Sequence, residues 1–111
     1  MELVARQLDG VLVVHAMDDR IDAASAIQFK ERMRGIVQGA EPRVVLDMTR
    51  VNFLDSSGLG AVVAVMKMMG PDRKLELAGL TPTVQKVFRL TRMESIFTIH
   101  SSLPEGLGHA V

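Results

Sequence analysis

Residues 44–69 read VVLDMTRVNFLDSSGLGAVVAVMKMM. With Arg43, the opening RVVLDM (43–48) reads as a short strand buried in a sheet. From about Ser57 the spacing turns helical. Leu59, Val62, Val63 and Met66 fall on one stripe, and Ala61 and Val65 are apolar as well, so this helix is expected to be well buried. Gly70-Pro71 ends it after Met69. A strand that passes through a polar loop into a buried helix is half of a parallel crossover, so the fold class depends on what flanks it.

Upstream, residues 2–8 and 11–17 form two β-like runs around Asp9-Gly10, a tight-hairpin signal that predicts positive φ at both turn residues. VLVVHAM (11–17) is almost continuously apolar, as a strand covered on both faces would be. After DDRIDAASA a helical pattern runs to about Gln38. Ala26, Phe29, Met33, Ile36 and Val37 lie on one stripe, Lys30, Glu31 and Arg34 lie mostly off it, and Gly39 is a C-terminal cap. Downstream, KLELAG (74–79) is a fourth strand. Thr81-Pro82 opens a third helix with Val84, Val87, Phe88 and Thr91 inward. IFTIH (96–100) is a last strand. SLPE (102–105) has capping-box spacing, although Gly106 and Gly108 leave residues 101–111 as a frayed tail or a short helix. The order ββαβαβαβ predicts one α/β domain over residues 1–111. It would have a mixed, mostly parallel sheet of about five strands with an opening β-hairpin, packed against three to four helices.

Hydrophobic residues make up 48% of the 111, enough for a compact core. Thirteen basic residues balance thirteen acidic ones, so the chain lacks the positive field that nucleic-acid binding needs. There are no cysteines, which excludes disulfides, thiol catalysis and Cys-based metal sites and fits a cytoplasmic location. The N-terminus lacks the pattern of a signal peptide. The longest apolar run, 61–66, falls far short of the about 20 residues a membrane span needs, so no membrane insertion is expected.

The loop FLDSSGLG (53–60) carries the remaining chemistry. A hydrolase elbow, G-x-S-x-G, is not formed by either serine, because Leu54 and Asp55 stand where the upstream glycine belongs. Of the histidines, His15 reads as structural, His100 lies near a strand end and His109 sits in the tail. A P-loop needs G-x-x-x-x-G-K-[ST], which is absent, and GLGAVV matches only the start of a dinucleotide fingerprint. Asp47 and Asp55 without a histidine partner are a poor metal set, and Asp47 reads as structural. No cofactor is expected. Helix capping by Asp55 or a serine accounts for much of the string, and Gly58 and Gly60 would let the helix start approach the sheet. Capping does not account for a second hydroxyl or for two glycines in the first turn.

A serine at a helix N-terminus is well placed to carry a phosphate, because free N–H groups and the helix dipole favour negative charge there. Phosphorylation would add about −1.5 to −2 charges to a neutral domain, beside Asp55 and Asp22, and repel a partner seated on the loop. The residues thus point to an electrostatic switch on a binding module.

The 44–69 stretch closely resembles the signature of the STAS domain, and above all that of bacterial anti-sigma factor antagonists. The likeness extends through GVLVVHAMDDRIDAASA (10–26) and LTPTVQKVFRLTRMESIFTIH (80–100). It implies a chain that is not an enzyme. In its unphosphorylated form it would bind an anti-sigma factor that is also a serine kinase of the histidine-kinase-like ATPase type, freeing a sigma factor. The kinase, which holds ATP and Mg²⁺, would phosphorylate Ser56 and so release the antagonist, and a PP2C-type phosphatase would restore it. The resemblance implies a partner contact at Asp22, which reads equally as a helix N-cap. It implies a cap or fold role for Ser57 rather than that of acceptor, backbone clearance at Gly58, and a share for Asp55 in the partner-binding loop. STAS domains also serve as subunits of lipid-transport ABC systems and in signalling scaffolds, where a partner ATPase is bound without a phospho-switch. The eight methionines, Met66, Met68 and Met69 among them, read as core filling or as an adaptable surface.

Overall fold

The computed structural model describes residues 1–39 and 41–103. Strands β1 (Leu3–Leu8) and β2 (Val11–Ala16) form the hairpin, followed by a short β3 (Arg20–Ile21) and helix α1 (Ala26–Val37). Next come β4 (Arg43–Asp47), a short β5 (Phe53–Leu54), α2 (Ser56–Met69) and β6 (Lys74–Ala78). Helix α3 (Pro82–Leu90), a 3₁₀ turn (Met93–Ser95) and β7 (Thr98–His100) complete the described chain. The SLPE cap beyond Leu103, any terminal helix and His109 lie outside the described residues.

The main sheet has the order β1-β2-β4-β6-β7, with β1 antiparallel to β2 and every other pair parallel. The mixed five-stranded sheet and the helical crossovers match the expectation from sequence. Residues 9 and 10 connect Leu8 to its partner Val11, but only Gly10 takes a positive φ, of 69°. The turn therefore needs a glycine at one position, not two, and is not of type I′.

All three α-helices cover one face of the sheet. Leu12 and Val14 of β2, Val44 and Leu46 of β4, and Leu75 and Leu77 of β6 pack there against Phe29, Met33, Val62, Val65, Val84 and Phe88. In α2 the buried stripe is Gly58, Leu59, Ala61, Val62, Val65 and Met69. Val63 and Met66, expected inside, are only partly buried, because the helix is turned toward both the sheet and α1. Met66, Met68 and Met69 all pack against the core. Ile36 and Val87 also sit at its edge, and Thr91 is exposed, its hydroxyl donating to Val87 O at 2.7 Å.

On the other face, Val11, Val13, Val45 and Ala78 form a smaller cluster with Leu8 and Leu103. Two polar groups flank it. Asp47 accepts from His15 Nδ1 at 2.7 Å, while Arg6 Nε donates to His15 Nε2 at 3.3 Å. Glu76, 5% exposed, receives Arg43 Nε at 2.6 Å and His100 Nε2 at 2.6 Å. Burial alone would raise the Glu76 carboxyl, but Arg43 and then His100 hold it below its ordinary value.

Candidate functional site at the start of α2

The parallel pair β3–β5 aligns Arg20 with Phe53 and Ile21 with Leu54, apart from the main sheet. Two residues per strand are too few to show a period, which is why DDRIDAASA and VNFL read as loops in sequence. This small pair sets the start of α1 beside the start of α2. Asn52 and Phe53 donate their N–H groups to Asp19 O, and the Arg20 guanidinium lies 4.7 Å from the centre of the Phe53 ring.

Asp55 joins the two helix starts. Its Oδ1 accepts the Gly58 N–H at 2.9 Å, capping α2. Its Oδ2 accepts the Ala23 N–H at 3.1 Å, from the loop before α1. The cap was legible in the sequence; the long-range bond was not, since nothing local marks Ala23.

Asp22 shapes that loop from inside. Its Oδ1 accepts from the N–H groups of Ala24 and Ser25 and from the Ser25 hydroxyl, and its Oδ2 takes Arg20 Nε at 2.9 Å. Partial desolvation would raise the Asp22 carboxyl, but the bonds from Ser25, Ala24 and Arg20 outweigh it and leave it below its ordinary value. Ser25, not Asp22, stands at the N-cap of α1, and its side chain makes no cap bond.

Ser56 and Ser57 are the first two residues of α2 and both are exposed. Neither hydroxyl has a hydrogen-bond partner among the described residues. Gly58 is buried, and a Cβ there would lie 2.0 Å from the Ile21 carbonyl oxygen and 2.8 Å from Leu54 Cδ1. The glycine is what lets α2 approach β3. Gly60, expected to share this task, does not: a Cβ there meets nothing within 4 Å. The structure thus brings Asp22, Asp55, Ser56, Ser57 and Gly58 into one corner, with the two serines exposed, the two aspartates half-buried and Gly58 buried beneath them.

The described histidines are engaged on the far face of the sheet, His15 with Asp47 and His100 with Glu76, so neither serves Ser56 as a base. No metal-ligand cluster is present among the described residues. None of the described helices is long and apolar enough to cross a membrane.

The family model described as "STAS domain" matches residues 2–106. A protein of Bordetella bronchiseptica, BtrV, assigned as an anti-sigma factor antagonist, is 32% identical over 103 residues, covering 92% of this chain and 88% of its own. The anti-sigma-B factor antagonist of Listeria monocytogenes is 31% identical over 101 residues, covering 89% and 86%. The crystal structure of an anti-sigma factor antagonist from Mycobacterium paratuberculosis superposes with a TM-score of 0.83 at 24% identity, over 92% of this chain and 86% of that one. This chain belongs to the STAS domain family.

Proposed function

We propose that this chain is an anti-sigma factor antagonist switched by phosphorylation of Ser56. The relatives named as antagonists, at 31–32% identity over most of the chain, support the general role. The observation that carries the switch is the free, exposed Ser56 hydroxyl at the first position of a helix whose start is fixed by Asp55.

Unphosphorylated, the corner formed by Asp22, Asp55, Ser56, Ser57 and Gly58 binds an anti-sigma factor that is itself a serine kinase of the histidine-kinase-like ATPase type. Binding removes that factor from its sigma factor, in the cytoplasm. The kinase holds ATP and Mg²⁺, and this chain contributes only the acceptor. Ser56 Oγ forms a bond to the γ-phosphorus, the bond from that phosphorus to the β,γ-bridging oxygen breaks, ADP leaves, and the hydroxyl proton passes to a base of the kinase or to water. The phosphate adds about −1.5 to −2 charges at the contact, which repels the partner. A PP2C-type phosphatase hydrolyses the ester and restores binding.

The reading is tested by calorimetry with the purified anti-sigma factor. Ser56→Asp should weaken binding by about tenfold or more, about 1.4 kcal/mol, and Ser56→Ala should retain it. Equal affinity across wild type, Ser56→Asp and the phosphorylated chain would overturn the switch. Strong binding to a transporter ATPase instead, indifferent to Ser56, would move the chain to the transport branch of the family.

A further inference from the structure

Gly60 meets no need of the fold. It is exposed near the start of α2, and a methyl group there has open space. A glycine at such a helical position destabilises the helix relative to alanine. Gly58, two residues earlier, is explained by the Ile21 carbonyl; Gly60 has no such neighbour.

Gly60 lines a groove of about 240 Å³ between α1 and α2, together with Ala26, Ile27, Lys30, Ser57 and Ala61. Ile27, an isoleucine on the first turn of α1, is 71% exposed. Lys30 has no carboxylate partner among the described residues, and the acid next to it on the helix, Glu31, pairs with Arg34 at 3.7 Å. The groove therefore offers a bare stretch of backbone, an aliphatic edge and one unpaired cation. One of its lining residues, Ser57, directly follows Ser56 in the first turn of α2.

We infer that this groove seats an apolar segment of the anti-sigma factor that bears a carboxylate. The partner's backbone lies against Gly60, an aliphatic side chain packs on Ile27, and the acid meets Lys30. The inference rests on the antagonist reading and adds to it a second contact and a sign of charge. A phosphate on Ser56 has the same sign as the incoming acid, so the groove gives the switch something to repel.

The test uses the full chain and the purified anti-sigma factor kinase, with binding read by calorimetry and stability by thermal melting. Gly60→Ala is expected to raise the melting midpoint by about 2–6 °C while weakening binding about tenfold or more. Lys30→Glu is expected to weaken binding about tenfold and to flatten its dependence on salt. Wild-type affinity in both variants, with Ser56→Asp still releasing the partner, would overturn the groove and leave the switch standing. A Gly60→Ala chain that melts lower than wild type would assign the glycine to the fold and also overturn it. A self-associating wild type that Gly60→Ala dissociates, with anti-sigma binding unchanged, would give the groove to a second copy. Failure of the wild-type chain to bind any anti-sigma factor would remove both the groove and the reading beneath it.

Discussion

Gly58 and Asp55 do the positioning at the serine corner, and each gives a distinct prediction. A Cβ at residue 58 would lie 2.0 Å from a backbone oxygen, so the helix start or β3 must shift. Gly58→Ala is expected to destabilise the chain by about 2–3 kcal/mol in urea unfolding; a loss under about 0.5 kcal/mol would show that the approach is not tight. Asp55→Ala removes both the cap and the bond to Ala23, a loss of about 2 kcal/mol, and should speed hydrogen exchange at the Ala23 amide. Asp55→Asn keeps one side-chain oxygen of two and should fall between. Unchanged Ala23 exchange in both variants would refute the clip between the helices. From sequence, the Asp-Ser-Ser-Gly string already marked a capped helix start, because a cap is local; it could not tell Gly58, which clears the distant Ile21 carbonyl, from Gly60, which clears nothing. The partner of Asp55 across the fold was not legible, since a backbone N–H leaves no residue-type signature.

Among the elements, β4, β6 and β7 are tied by Glu76, which receives both Arg43 and His100. The folded carboxyl is held below its ordinary value, so its contribution is complete above that ordinary value of 4.5 and is lost as pH falls through the folded one. Glu76→Gln should lower stability at neutral pH by about 1–3 kcal/mol. It should also lose less stability than wild type as pH is taken below the ordinary value. Parallel pH profiles for the two proteins would show that Glu76 is not the group responsible. In KLELAG, Glu76 alternates with Leu75 and Leu77, which face the helices, and its burial on the opposite face depends on neighbours far along the chain. The order of strands and helices was legible because apolar runs and helical stripes alternate clearly. The β3–β5 pair was not, for it is held by pairing and by Arg20 on Phe53 rather than by any pattern of its own.

For the whole molecule, the sheet separates two kinds of chemistry. The histidine–carboxylate groups stabilise one face, and the helices on the other present an exposed serine whose hydroxyl has no hydrogen-bond partner among the described residues. Ser56→Asp and Ser56→Ala should therefore melt within about 0.5 kcal/mol of wild type while differing in partner affinity. A large stability change in either would make Ser56 a fold residue. The central claim is the identity of the acceptor. Incubation with the anti-sigma factor kinase and ATP, followed by mass-spectrometric mapping, should place a single phosphate on Ser56 and none on the Ser56→Ala chain. Phosphate on Ser57 or elsewhere, with Ser56→Ala still modified, would contradict it.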